Sequence, residues 1–312
     1  MDYISTREAA DRWGVTLRYV QKLIADGRIP GAKRYGVSWL VPRDAQKPDD
    51  PRRARKQPAK KAPAYLLLPP AALAKRNPDA SKSAYPLRYR PFVEADMAYR
   101  RGDPAPAMDV WRNTPPSDPA QLTAATIATA AAISAGDFGL YDAIRLTMEA
   151  CMAETRDKRE RALLSLPVTL AAVSMAAVGM TPQWLRDGDF SLFPREHIPL
   201  LLYLYTLHLR NIDDRKAVLY TAKTALNLCA QTHTFTWLDV YNLTLCAQAC
   251  FDLGDKERSR EYLLTAMKLG LPAGFIAPFA DYLGAFGGLM ETCLDAYFPQ
   301  YKAPITALWS RS

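Results

Sequence analysis

Histidine and cysteine are scarce in this 312-residue chain, at three and five residues. Neither His197 nor His208 has a sequence neighbour that sets up a nucleophile and base, and no Ser-His-Asp or paired-acid signal stands out. The five cysteines (Cys151, Cys229, Cys246, Cys250 and Cys293) are odd in number and widely spread. That pattern points to reduced thiols rather than a disulfide framework. There is no apolar run of about 18 residues, the length a bilayer-spanning helix needs. Asp2, Arg7 and Glu8 stand where a secretory leader would carry its apolar block. A cytoplasmic protein outside the membrane, without catalytic machinery or cofactor, is the expectation. What the chain does have is apolar material, at 49% of residues, enough for two domains or for one domain plus an extended array.

Its charge is unevenly placed. Residues 1–63 hold 15 Lys or Arg against 7 Asp or Glu, a net of +8, whereas residues 64–312 hold 25 of each. The whole excess therefore sits on the N-terminal fifth, and a basic footprint confined in this way suits phosphate neutralisation.

That fifth is also where local signals are clearest. Ser5-Thr6-Arg7-Glu8 is a capping-box start, Ala9, Ala10 and Trp13 recur at helical spacing, and Gly14 can end the helix. Thr16 is a candidate N-cap for a second helix over Leu17 to Asp26, with Val20, Leu23 and Ile24 inward and Gly27 as the stop. Arg18, Tyr19, Gln21 and Lys22 face the other way. Two helices on a short turn, the second carrying donors outward, form the helix-turn-helix pattern. Lys33, Arg34 and Tyr35 then lead into Val37 to Pro42, a hairpin pattern with Tyr35-Gly36 as its turn and with Trp39 and Val41 toward the helices.

The order Glu8-Ala9-Ala10, Gly14-Val15-Thr16, Gly27 to Ala32 and Trp39 to Pro42 resembles the winged helix-turn-helix of the excisionase and MerR families. The resemblance covers residues 5–42. It implies that the helix from Thr16 enters the major groove of double-stranded DNA and that the hairpin tip touches the flanking backbone. On that reading Arg18, Tyr19, Gln21 and Lys22 meet the groove, where Gln pairs with adenine and Arg with guanine. Thr16 would meet phosphate, and Lys33, Arg34 and Tyr35 would serve the wing. A small module of this kind can also bind protein instead.

From residue 46 to 85 regularity is lost. Arg52, Arg53, Arg55, Lys56, Lys60 and Lys61 occur without an acid among them, and prolines at 48, 51, 58, 63, 69, 70 and 78 break any long helix. This reads as a basic tether that either adds phosphate contacts or is simply solvated. The apolar patch Tyr65 to Leu68 is expected to dock on the domain that follows.

Residues 86–312 read as an all-α array. Ala95-Tyr99-Gly102, Ile133-Gly136-Asp137, Ala172-Ala176-Gly179, Leu204-His208-Asn211 and Ala247-Phe251-Gly254 repeat one pattern. Their turn positions lie 34, 43, 32 and 43 residues apart, near the tetratricopeptide period, so stacked helical hairpins forming a solenoid are expected. The third copy is the weakest, because Pro182, Gly188 and Pro194 interrupt its second helix. The stretch Leu263 to Ala266, Gly270-Leu271-Pro272 and Ile276 to Phe279 resembles the helical-repeat sensor segment of LuxR-type regulators of the MalT kind. Unlike those, this sequence has no glycine-rich phosphate loop with a lysine, and it stops at Ser312, where their C-terminal DNA-binding domain would begin.

Cys246 and Cys250 lie four apart, as do Cys229 and His233. Such pairs suit zinc only if two helices bring them together. The apolar neighbours Leu245, Ala247, Ala249 and Phe251 favour small buried residues. The aromatics Tyr203, Tyr205, Phe235, Trp237, Tyr241 and Tyr262 belong either to the core or to a groove. The expected whole is a mainly α DNA-binding transcription regulator whose array senses a protein partner or small effector, or drives homodimerisation through Leu283 to Phe298. A protein–protein adaptor or anti-activator is the alternative, and an excisionase-like recombination factor a third.

Overall fold

The computed structural model describes residues 2–36, 38–48, 65–68, 72–73, 85–232 and 235–311, with side chains between 229 and 235 and at 72–73 excepted. The chain divides at residue 62 into two units, the second mainly helical.

In the first unit, the Ser5 hydroxyl accepts from the Glu8 amide at 3.1 Å. The Glu8 carboxylate accepts from the Ser5 amide at 2.8 Å. These reciprocal bonds start α1 (Thr6–Trp13), and they hold the Glu8 carboxyl below its ordinary range. Gly14 ends the helix at φ 63°, a left-handed conformation that costs glycine little. Three residues later α2 (Leu17–Ala25) begins. Thr16 holds the N-cap position in extended backbone, but its hydroxyl makes no capping bond, contrary to expectation.

Ala9, Ala10, Val20, Leu23 and Ile24 are buried together with Ile4, Ile29 and Val41. A three-stranded antiparallel sheet backs the helices: β1 (Tyr3–Ser5), β2 (Lys33–Tyr35) and β3 (Ser38–Pro42) in the order β1-β3-β2. β1 was not anticipated, since three residues that run straight into a helix cap carry no alternation to read. Tyr35 pairs with Ser38, so the hairpin connection is Gly36-Val37 rather than Tyr35-Gly36, and Val37 lies outside the described residues. Trp39 is 37% exposed and outside the core, whereas Val41 is fully buried. Both point to one side of the strand, but Val41 sits opposite Ile4 in mid-sheet while Trp39 sits opposite Arg34 near the hairpin end.

In the second unit, helices follow one another in antiparallel-style hairpins: α3 (Arg90–Arg100) with α4 (Ala105–Asn113), α5 (Gln121–Ser134) with α6 (Phe138–Glu154), α10 (Ile198–Asn211) with α11 (Arg215–Thr232), and α12 (Trp237–Asp252) with α13 (Lys256–Gly270). Between the second and third of these come α7 (Lys158–Leu164), α8 (Leu166–Ser174) and the four-residue α9 (Gln183–Arg186). The first helix of each hairpin packs on the next: α3 on α5, α5 on α8, α8 on α10 and α10 on α12.

One turn device recurs five times. Gly102, Gly136, Ala176, Asp213 and Gly254 are all left-handed. In each case the next amide bonds back to a carbonyl five residues earlier: Asp103 to Ala98, Asp137 to Ala132, Ala177 to Ala172, Asp214 to Leu209 and Asp255 to Cys250. This is the six-to-one closure of a helix C-terminus. The true turn positions are therefore 34, 40, 37 and 41 residues apart, and the expected turns at Gly179 and Asn211 are displaced to Ala176 and Asp213. In four turns the following residue is an aspartate whose carboxylate accepts from an amide of the next helix, at 3.0–3.2 Å. Ala177 cannot do this. The third turn leads only into a short 3-10 turn (Val178–Met180), so the missing cap coincides with the missing second helix.

The segment before the helices belongs to this unit. The Thr123 hydroxyl donates to the Leu66 carbonyl and accepts from the Leu68 amide, and Leu67 is buried in the main core. β4 (Ala72–Leu73) pairs with β5 (Phe235–Thr236), just ahead of α12. The Arg52 to Lys61 run lies outside the described residues.

The last hairpin is followed by α14 (Ala277–Ala280), α15 (Leu289–Tyr297) and α16 (Pro299–Trp309). These return to the first hairpin. The Ile276 amide donates to the Arg100 carbonyl at 3.0 Å, and Arg101 Nε to the Ala273 carbonyl at 3.3 Å. Leu283, Phe286, Met290, Cys293 and Leu294 are buried in the unit's own core, so these side chains are not available to the dimer contact expected of that stretch.

Gly102 sits at this closure. A Cβ there would come within 2.9 Å of Ile276 Cδ1 and 3.3 Å of Leu308 Cδ2, whereas at Gly254 it would meet nothing within 4 Å. Both glycines are left-handed, so Gly254→Ala is expected to cost about 1–2 kcal/mol from backbone strain alone. Gly102→Ala should cost more, because the closing contacts must shift as well. Urea unfolding of the two variants checks the order, and equal losses would contradict the close approach.

Candidate nucleic-acid interface and interior cavity

Helical geometry sorts the α2 side chains. Val20, Leu23 and Ile24 take the buried stripe, leaving Arg18, Gln21 and Lys22 at i, i+3 and i+4 on the exposed one. Among the described residues these three have no hydrogen-bond or ion-pair partner. Tyr19 differs from expectation: it is half-buried and packs against the small core, since its position flanks Val20. Thr16 is exposed at the head of the same helix. Lys33, Arg34 and Tyr35 are exposed on the edge strand β2. The Lys33 ammonium stands 5.5 Å from the centre of the Tyr3 ring, and Tyr35 is 79% exposed beside the hairpin connection. Arg12 donates to the Arg43 carbonyl and Lys47 to the Trp13 carbonyl, tying the strand that leaves the sheet to α1. Two of the unit's cations are thus structural, while the α2 and β2 cations point outward.

The second unit holds a partly open cavity of about 300 Å³. It is lined by the first helices of the hairpins, by Leu67 and Leu68, and by Asp281 and Tyr282 after α14. Its wall mixes polar and apolar surface, with Phe92, Tyr99, Tyr203, Trp237, Tyr241 and Tyr282 contributing rings. Of the aromatics singled out in the sequence, Tyr203, Trp237 and Tyr241 come together here. Tyr205 and Tyr262 pack against the core, and the Phe235 side chain lies outside the described residues.

Four charged groups enter this wall. Asp96 accepts from Arg100 at 3.1 Å and from Trp237 Nε1 at 2.7 Å. The Arg100 guanidinium lies 3.6 Å from the centre of the Trp237 ring and donates to the Tyr241 hydroxyl at 3.3 Å. Burial works against the Arg100 charge, yet Asp96 and the neighbouring tyrosines hold its pKa above the ordinary value. Tyr241 in turn donates to Asp281 at 2.7 Å. Asp281 stands deep among protein atoms yet is exposed, because its surface opens on the cavity. Depth pushes its carboxyl up, against the pull of Tyr241, Arg100 and Arg210. Burial likewise pushes the Tyr282 hydroxyl up to about 12. Arg210 lies 5.3 Å from the centre of the Tyr282 ring.

The sequence did not single out Asp96, Arg100, Arg210 or Asp281. A signal was available for two of them: Asp96 and Arg100 fall among Phe92, Val93, Met97 and Tyr99, where a helix with one solvated face would place apolar residues.

Cys246 and Cys250 are buried on α12, and burial pushes the Cys246 thiol up to about 12, with Cys250 adding to the effect. The side chains of Cys229 and His233 lie outside the described residues, and among those described no three His, Cys, Asp or Glu side chains group as metal ligands would. His197 and His208 are buried, each lowered in pKa by desolvation. No described helix is long and apolar enough to cross a membrane.

No protein-family model, curated protein or solved structure matches the chain.

Proposed function

We propose that this chain is a DNA-binding transcription regulator, built from a winged helix-turn-helix reading head and a tetratricopeptide-like sensing array. The observation that carries the reading is the exposed Arg18-Gln21-Lys22 stripe on α2, opposite a buried stripe, in the unit that holds the chain's entire charge excess. Arg offers two donors to a guanine edge, and Gln one donor and one acceptor to an adenine edge. Thr16 and the β2 cations Lys33 and Arg34 would supply phosphate contacts, with Tyr35 at the wing tip. Tyr19 helps seat the helix through its packed ring and reaches DNA only with its polar end. Two copies of the chain acting together would supply a second head.

Fluorescence anisotropy of the full chain on fragments of its own promoter region tests this. Binding should weaken steeply with salt. The double variant Arg18→Ala with Lys22→Ala should lose about tenfold or more in affinity, equivalent to ~1.4 kcal/mol. Unchanged affinity would remove α2 from the interface. If the full chain shows no salt-sensitive binding at all, the adaptor reading takes over, favoured by the exposed Phe138, Leu146 and Tyr220 on the second helices of the hairpins.

A further inference from the structure

We propose that the cavity of the helical unit binds a small zwitterion of the amino-acid class, with its carboxylate on Arg210, its ammonium on Asp281 and its apolar body against the aromatic wall. The inference deepens the sensing half of the reading above. It rests on that reading for its consequence at DNA, not for the binding itself.

The argument starts from size. A cavity of about 300 Å³ is roughly twice the ~150 Å³ engineered space that takes up benzene. A ring or branched chain with polar groups attached fits such a volume, which lies at the lower end of small-molecule sites. The lining suits a ligand with both an apolar body and charged ends, since polar and apolar surface share it almost equally.

The two arginines then divide into one that is satisfied and one that is not. Arg100 has Asp96, the Tyr241 hydroxyl and the Trp237 face. Arg210, half-buried and lining the same space, has no carboxylate within 4 Å among the described residues. Its one hydrogen bond is to the Asn211 side chain at 3.5 Å, the limit of such a contact. Most of its five donors are therefore unspent. Asp281 is the complementary case, with Oδ2 accepting from Tyr241 and Oδ1 meeting no hydrogen-bond donor among the described residues.

Tyr282 links the two groups: Arg210 stands over its ring, and Asp281 precedes it in the chain. They are close enough to influence each other, yet not in ion-pair contact. An acid alone would meet Arg210 beside the repelling Asp281, and an amine alone would meet the reverse. A zwitterion satisfies both. The cavity is only partly enclosed, which gives the ligand a way in.

Isothermal titration calorimetry of the full chain with each standard L-amino acid at up to millimolar concentration tests the proposal. Phenylacetate and phenethylamine serve as the single-charge counterparts of phenylalanine. At least one apolar or aromatic amino acid should bind, and phenylalanine should bind about tenfold or more tightly than either counterpart. Arg210→Gln should erase the preference over the amine, and Asp281→Asn the preference over the acid. The asparagine can still accept from Tyr241, so that variant keeps the surrounding network, and circular dichroism confirms its fold.

Absence of any heat with the whole panel overturns the proposal. So does a single-charge compound that binds as well as phenylalanine, or two folded variants that keep full preference. An amino acid that binds in the cavity while the full chain ignores DNA would overturn the reading of the N-terminal unit and leave this site standing.

Discussion

Asp96→Ala is expected to lower the stability of the helical unit by about 3–5 kcal/mol, the cost of leaving a buried charge without its partner. Arg100 is 6% exposed and would keep only the Tyr241 hydroxyl and the neighbouring rings. The Trp237 indole N–H would lose its acceptor too, a further penalty of about 1–3 kcal/mol if no water replaces it. The two penalties overlap and should not be summed.

The informative companion is the double variant Asp96→Leu with Arg100→Met. Buried ion pairs replaced by apolar residues of similar volume are often neutral or better, so the double variant should be more stable than Asp96→Ala alone. Urea unfolding followed by circular dichroism gives both numbers, with an unchanged slope certifying that only stability moved. A loss below about 1 kcal/mol for the single variant would mean that water reaches the pair.

Leu23→Ala is expected to have the second largest effect, and on the other unit. The side chain is 1% exposed and belongs to a core of eight residues. Such truncations cost about 2–5 kcal/mol, and a core this small supplies little more than about 3–5 kcal/mol in total. The variant should populate an unfolded N-terminal unit and, on the proposed function, lose DNA binding more completely than the Arg18 and Lys22 variant, without touching a charged group. Hydrogen exchange separates the two units: amides of α1 and α2 should lose protection, and those of α12 should keep it. Retained protection in α2 would show that the core tolerates the gap.

Much of the N-terminal unit was legible because its punctuation is local. Ser5 with Glu8, then Gly14 and Gly27, mark starts and stops within a few residues. What escaped was set by sheet pairing. The side of a strand is readable from alternation, but how far the packing extends along it is not, and Trp39 was placed inward on alternation alone.

In the helical unit the hairpins were legible and their register was not. Two of the five turns use Ala176 and Asp213 in the left-handed conformation, so a search anchored on glycine slips by a few residues at both. The aspartates after four of those turns were the better marker, since each has a mechanical task at the next helix. The cavity was hidden for a different reason. Asp96 and Arg100 look in sequence like an ordinary surface pair at i and i+4. Only contact with residues from α12 turns that pair into part of an interior wall.

That contact also bears on how the helical unit comes apart. An array in which each hairpin touches only its neighbours can fray from either end, one hairpin at a time. Here Asp96 is bonded to Trp237 and Arg100 to Tyr241, each across 141 residues. Bringing such distant partners together costs about 4 kcal/mol of chain entropy before any reward arrives. Folding should accordingly be slow for a protein so rich in local helix. Once the circle is shut, the first hairpin no longer has a loose end to peel, and fraying it means breaking the seam that holds the outermost hairpins together.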